Sequence, residues 1–281
     1  MPAKGVRLIE TEAPRQEPRS LQGPGNGTGA GSGVLVSDVR KDFPGRKGSV
    51  TALDGLSLEC RPGEVLGVVG PSGCGKSTLL ELVAGLDEQS VGTIRVQNGA
   101  AAPERLARCA LMPQRDLLLP WRSALDNAAL ALELRGLRRA EARRRVVPMF
   151  ERFGLAEFAS ARPYELSGGM RQRVAFARTL LAGKPVLLLD EPFGSLDSIT
   201  RAELQEWLGE ALREEPRTTL LVTHDVEEAL FLCDRVLILS RRPGTVRAEL
   251  RVELDRSRPR REQVTSPEFT VLKERALEAL E

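Results

Sequence analysis

Three short stretches of this chain are apolar at successive positions instead of alternate ones: GEVLGVVG (63–70), PVLLLD (185–190) and TTLLVTH (218–224). A strand with one wet face alternates apolar and polar side chains. An unbroken apolar run is the pattern of a strand covered on both faces, as in a parallel sheet. Each run leads through a turn into apolar positions at helical spacing, which predicts an α/β domain with a mainly parallel sheet. Such sheets bind ligands beyond the carboxyl ends of their strands. All three runs end there in polar or glycine residues: GPSGCGKST, DEP and HD.

The remaining pattern divides the chain. Residues 1–33 end in GPGNGTGAGSG, with almost no apolar side chains to offset the entropy of ordering, and are read as a flexible tail. The main domain is expected to occupy 34–245. Within it, about 113–178 has helical character and few strand signals, and RRAEARRRVVPMF places Glu141 four residues before Arg145, a pairing that supports an exposed helix. This region reads as a helical subdomain inserted into the α/β core. Residues 246–281 follow as a half-buried strand, VRAELRVEL, and a helix with Ser266 as N-cap and Pro267 at its first position. Both are expected to pack on the core.

Composition narrows the class. A chain of 281 residues, 41% hydrophobic and 28% charged, suits a soluble globular protein of one large domain or of a domain with an inserted subdomain. The net charge of +2, from 41 basic and 39 acidic residues, leaves no electrostatic footprint for nucleic acid, and no nucleic-acid partner is expected. No apolar run approaches the roughly 18–20 residues that cross a bilayer. The start, MPAKGVRLIE, lacks the apolar core of a secretory signal. Four scattered cysteines with no CxxC pair, and a single histidine, argue against a zinc site and fit reduced thiols in a cytosol.

The strand ends carry the chemistry. GPSGCGKS (70–77) fits the phosphate loop G-x-x-x-x-G-K-[ST], after a predicted strand and before a helix. Its glycines let backbone N–H groups curl around phosphate oxygens, and the helix dipole adds positive potential. Lys76 is placed to reach the β and γ phosphates and the Ser77 hydroxyl to ligate Mg²⁺. Cys74, near a helix N-terminus, is expected to favour its thiolate. At the end of VLLLDE, Asp190 is placed to hold Mg²⁺ through water and Glu191 to take a proton from an attacking water. In LSGGMRQRVAFARTLL, Ser167 is a good N-cap, and a serine with two glycines at a helix start makes a second anion-shaped turn. Asp225 and Glu228 read as an N-cap pair for the helix after His224.

Taken together, GPSGCGKS, LSGGMRQR, VLLLDEP, GSLD and THD resemble the ATP-binding cassette (ABC) ATPases, from Val34 to about Gly244. The resemblance implies a RecA-like P-loop NTPase core with a mainly parallel sheet, an antiparallel β subdomain and an inserted helical subdomain bearing the signature LSGG. It implies ATP and Mg²⁺ as ligands, and two copies sandwiching two ATP molecules head to tail. The nucleotide would be contacted by Gly70, Pro71, Ser72, Gly73, Cys74, Gly75, Lys76, Ser77 and Thr78. Ser167, Gly168 and Gly169 would touch the γ-phosphate held by the other copy, and Ser195, Leu196 and Asp197 resemble the loop that crosses between subunits. Gln114, in MPQRD, looks like the glutamine that senses Mg²⁺ and water, so the implied metal set is Ser77, Gln114 and Asp190. Phe43 stands where the family places an aromatic ring against adenine; tyrosine is commoner there, and phenylalanine stacks without the hydroxyl. His224 resembles the switch histidine that bonds the γ-phosphate and holds Glu191 in line, giving Glu191, His224 and Lys76 as the catalytic set.

Three classes compete at this point: a transport ATPase serving a separate membrane protein, a soluble ABC protein of DNA repair or translation, and a small-molecule kinase. LSGG, GSLD and THD weigh against the kinase. The soluble ABC proteins usually carry coiled coils, zinc modules or a second cassette, none of which is present here. LLLPWRSALDNAALALELRG (117–136) resembles the LPW…LDN segment of nitrate-, sulfonate- and taurine-type importers. That resemblance implies an ATP-hydrolysing importer subunit, powering uptake of a small solute, nitrate-, sulfonate- or taurine-like or a vitamin precursor, as a peripheral protein on the cytoplasmic face of the membrane. Permease subunits would be its partners, with a substrate-binding protein as an indirect one. Residues 117–121 either form a groove for the permease or place Trp121 inside the helical subdomain.

Overall fold

In a computed structural model of the protein, which describes residues 33–45, 48–194 and 196–281, the three unbroken apolar runs lie side by side at the centre of one sheet. The stretch read as a flexible tail lies, apart from Gly33, outside the described residues. In chain order the elements are β1 (Val34–Gly45), β2 (Gly48–Cys60), β3 (Val65–Val69), α1 (Lys76–Ala84), β4 (Val91–Val96), α2 (Ala102–Arg108) and β5 (Cys109–Met112). Then come α3 (Ala124–Leu134), α4 (Arg139–Arg152), α5 (Gly168–Leu181), β6 (Val186–Asp190), α6 (Ser198–Glu214), β7 (Thr218–Thr223) and α7 (Val226–Leu232). The chain closes with β8 (Arg235–Leu239), β9 (Val246–Arg251), α8 (Arg260–Val264) and α9 (Pro267–Leu280).

The larger sheet has the order β5-β6-β7-β3-β8-β9 and is parallel except for β9, which pairs antiparallel with β8. Every residue of β3, β6 and β7 is buried. Alternate residues of the same strands enter two different cores: Val186 and Leu188 one, Leu187 and Leu189 the other, with Leu220 and Val222 opposed in the same way to Leu221. That is why these runs do not alternate in sequence. The smaller sheet, β2-β1-β4, is antiparallel and seals one of those cores against α1.

Between β5 and β6 stand α3, α4, α5 and two short 3-10 turns, Ala156–Phe158 and Pro163–Glu165. Asp126, buried in the first turn of α3, joins α3 to α4. Its carboxylate accepts two bonds from Arg143 (2.7 and 2.8 Å) and two from Arg139 (3.2 and 2.6 Å), residues one turn apart on α4. The Arg143 guanidinium, followed by that of Arg139, holds this carboxyl far below the usual carboxylate range. An aromatic cluster ties the group to the sheet side: the Phe153 ring meets Trp207 of α6 edge-on at 4.8 Å, and Phe176 of α5 meets Phe193 at 5.8 Å. At the far end, Ser266 caps α9 by accepting from the Phe269 N–H, and Phe269, Leu272 and Ala276 bury one face of that helix. Among the described residues no helix is long and apolar enough to cross a membrane.

Asp126→Asn is expected to lower the unfolding free energy by about 1–3 kcal/mol at neutral pH, less than a fully enclosed pair because both guanidinium groups remain partly in water. The native pKa is depressed, so the wild-type advantage is present above the ordinary carboxylate pKa of about 4 and is lost as pH falls through the depressed value. Urea midpoints measured for both proteins should therefore converge in acid.

Candidate functional site

The rim of the larger sheet gathers the phosphate loop, Asp190, Glu191 and His224, because β6, β7 and β3 are neighbours running in one direction. Residues 70–75 leave β3 and turn into α1, whose N-cap is Gly75 at φ +108°. A Cβ there would lie 2.7 Å from Leu53 Cδ2 and 2.9 Å from the Ala52 carbonyl oxygen, so only glycine fits. No side chain caps α1, which leaves its first N–H groups directed at the loop. Lys76 is buried and folded back, its Nζ donating to the carbonyl oxygens of Gly70 (2.6 Å) and Pro71 (3.1 Å). The Asp190 carboxyl is also buried; burial raises its pKa, opposed by a hydrogen bond from the Ser77 hydroxyl.

A cavity of about 360 Å³ opens beside this loop and is lined by Phe43, Ser72, Gly73, Gly75, Lys76, Ser77, Thr78, Gln114 and Glu191. Phe43 reaches it from the end of β1, with Lys41 Nζ 4.8 Å from its ring centre. Cys74 does not line it. Its thiol is buried beside Gly70, and burial raises its pKa, so the expected thiolate is overturned. The helix terminus cannot stabilise a thiolate that has been taken out of water. What Cys74 brings to the loop is its backbone, whose N–H donates to the Pro71 carbonyl at 3.2 Å.

Glu191 has a left-handed backbone, φ +48°, which costs a residue with a Cβ on the order of 1–3 kcal/mol and persists only where its surroundings over-determine it. Here they do. Its N–H donates to the Val222 carbonyl (2.8 Å), while its own carbonyl accepts from Gln172 Nε2 (3.0 Å) and the Gly194 N–H (3.2 Å). Gln114 Nε2 donates to Oε2 at 3.1 Å, and His224 Nδ1 lies 3.2 Å from Oε1. The His224 side chain is 59% exposed and that of Glu191 16%, so the lone histidine stands over the site and is no part of a core. Among the described residues no three His, Cys, Asp or Glu side chains are placed to hold a metal ion by themselves.

Other expected site residues stand apart. Ser167 caps α5, accepting from the Met170 N–H at 3.2 Å, and Ser167 and Gly168 are exposed. None of Ser167, Gly168 and Gly169 lines the Lys76 cavity; Gly168 borders a second one, of about 340 Å³, shared with Gln114, Asp116, Arg171 and Gln172. Asp197 caps α6, accepting from the Ile199 and Thr200 N–H groups, and Ser195 lies outside the described residues. Asp225 caps α7 as expected, but Glu228 does not return the bond. It is buried, and burial, then the nearby Asp225, pushes its carboxyl up to about 8. The apolar segment divides: Leu118 packs into the core, while Leu117 and Trp121 are 61% and 69% exposed. Trp121 therefore does not pack inside the helical subdomain. Two site residues escaped sequence reading: Arg242, which donates to the Gly73 carbonyl at 3.0 Å, and Gln172. Arg242 sits in no local pattern that marks it, and Gln172, although inside LSGGMRQR, has no signal of its own role; their partners are 169 and 19 residues away in the chain.

All four cysteines are buried. Native protein treated with a maleimide is therefore expected to remain unlabelled at Cys74, with or without nucleotide, and to label on denaturation. Mass spectrometry showing nucleotide-sensitive labelling of native Cys74 would contradict the buried thiol.

A profile of the ABC transporter family matches residues 53–194. The chain is 42% identical over 256 residues to the nitrate import ATP-binding protein NrtD of Synechococcus elongatus, covering 89% of this chain and 92% of that one. It is 43% identical over 237 residues to the taurine import ATP-binding protein TauB of Rhizobium johnstonii, covering 83% and 90%. The aliphatic sulfonates import ATP-binding protein SsuB 1 of Rhodococcus jostii is 48% identical over 190 residues, covering 68% and 74%. Among solved structures, the dimeric bacterial ABC transporter cassette MJ0796 superposes with a TM-score of 0.73 at 30% identity, over 78% of this chain and 99% of its own. Similarity that spans most of both chains, and takes in the whole stretch from the phosphate loop to Glu191, makes the assignment plain: the chain belongs to the ABC transporter family, as one of its ATP-binding cassettes.

Proposed function

We propose that the protein is the ATP-hydrolysing subunit of an importer, working as a pair of copies beneath a separate permease. The observation that carries this reading is the Glu191 carboxylate, held on both oxygens by Gln114 and His224 at the mouth of the cavity that contains Lys76. ATP would lie with its adenine on the Phe43 ring and its phosphates in the loop. The Lys76 ammonium would exchange the carbonyls of Gly70 and Pro71 for β- and γ-phosphate oxygens, and the uncapped N–H groups of α1 would donate to the same anion. The Ser77 hydroxyl and Asp190 carboxylate are hard oxygen donors, the type that suits Mg²⁺ with its remaining positions left to water and phosphate. The Gln114 amide oxygen would complete that set, and the ion would supply neutralisation of charge on the phosphate oxygens.

Glu191 would take the proton of the attacking water as its oxygen bonds to the γ-phosphorus, and the γ-phosphoryl–ADP bond breaks. His224 and Gln114 hold the carboxylate so that its free lone pair keeps one direction. The turn of Ser167, Gly168 and Gly169, exposed at its first two residues, would offer its helix-start N–H groups away from its own cavity, as a site completed by a second copy requires. Asp197 would lie near that junction.

The relatives serve the import of nitrate, taurine and aliphatic sulfonates, and this chain is assigned to the same kind of uptake of a small solute, on the cytoplasmic face of the membrane, with a substrate-binding protein feeding the permease. Exposed Trp121 and Leu117, with Tyr164 at 79% exposure on the adjoining turn, form the apolar face offered to the permease. Arg162 ties that turn to the Trp121 carbonyl.

Glu191→Gln and His224→Ala are each expected to lower ATP turnover by roughly 10²–10⁴-fold while ATP binding survives. Steady-state hydrolysis with parallel nucleotide titrations reads both, and wild-type turnover in Glu191→Gln would remove the base assignment. Captured from detergent-solubilised membranes with Mg-ATP, Glu191→Gln is expected to bring down a polytopic membrane protein, and the Glu191→Gln/Trp121→Ala double variant to lose it. Recovery of soluble partners or nucleic acid alone would overturn the importer and leave the ATPase.

A further inference from the structure

We propose that Gln172 is a positioning residue through which the helix serving the other copy's nucleotide holds this chain's own base, Glu191. The inference rests on the proposed roles of Glu191 and of the turn at 167–169. Gln172 is buried on α5, one turn after Gly168, and its Nε2 donates 3.0 Å to the backbone carbonyl of Glu191. That carbonyl belongs to the left-handed residue at φ +48°, and its direction sets the peptide plane from which the Glu191 side chain departs. The Gly194 N–H, 3.2 Å from the same oxygen, comes from the turn itself; Gln172 is the bond that reaches in from α5.

A second route runs along the same helix. Arg171 Nε donates to Asp116 Oδ2 at 2.9 Å, and Arg178 donates to the carbonyls of Asp116 (2.7 Å) and Leu117 (2.9 Å). These bonds fix the segment just after Gln114, whose amide holds Glu191 Oε2. The base is thus held from α5 at its backbone through Gln172 and at its carboxylate through Gln114. A shift of the first turn of α5, when it meets or loses the other copy's phosphate, reaches Glu191 by both routes. Hydrolysis at one site then depends on nucleotide at the other, and the Gln172 amide is the donor that links them.

The test is a double-mutant cycle on the full-length protein. Gln172→Leu and Gln172→Met keep the side chain's bulk and remove the donor. Each is expected to lower kcat roughly 10- to 100-fold, the scale of a misdirected catalytic group, and to reduce the Hill coefficient for ATP toward one. The Kd for ATP and the thermal midpoint should stay at wild-type values. Because Gln172 acts through Glu191, adding Gln172→Leu to Glu191→Gln should change the residual kcat by less than about 2-fold. An undiminished effect of Gln172→Leu in the Glu191→Gln background, or wild-type kcat in both Gln172 variants, would overturn the proposal. Full turnover in Glu191→Gln alone would instead remove the base assignment beneath it.

Discussion

β3, β6 and β7 run between two apolar cores, and a polar side chain anywhere along their length would be buried without water, at a cost of several kcal/mol unless paired. That constraint drives the chemistry to the strand ends. Since the three strands are parallel neighbours about 4.8 Å apart, their ends open on one rim. The phosphate loop, Asp190 and Glu191, and His224 therefore meet there although they are far apart in the chain. The smaller sheet adds Phe43 to the same cavity from the opposite side.

At that rim the strain is concentrated in one residue. Glu191 takes a left-handed backbone and is held by Val222 and His224 at the end of β7, by Gln172 of α5, by Gln114 after β5 and by Gly194 of its own turn. The helical subdomain is consequently more than an insertion between β5 and β6. Through α5, which begins at the turn at 167–169, it touches Glu191 and the segment after Gln114, so its orientation and the geometry of the site are one mechanical problem. The aromatic contacts of Phe176 with Phe153 and Phe193 tie that helix to the sheet side, and the Asp126 cluster joins α3 to α4 beside it.

The expectations that failed did so for one kind of reason. Cys74 lies in a motif whose backbone is legible, yet whether its thiol points to the cavity or into the core is settled by packing within a buried apolar cluster drawn from both sheets. Glu228 has the spacing of a capping partner, but α7 packs with that side buried, and the carboxyl that would have bonded backbone is forced toward its neutral form. Leu118 and Trp121 belong to one apolar run, and only packing sends the first inward and leaves the second in solvent.

Local chemistry was readable from the sequence. Strands covered on both faces, glycines able to take positive φ, side-chain oxygens at helix starts and the phosphate-loop spacing all act within a few residues, so they leave a pattern in one dimension. The class of fold and most of the cavity beside the phosphate loop follow from them. What the tertiary structure decided are the contacts between segments: Glu191 strained and held by five residues, Gln172 brought to it on α5, and Arg242 brought to the phosphate loop from the turn after β8. Those depend on which face of each element is buried, and burial is settled by packing among elements far apart in the chain.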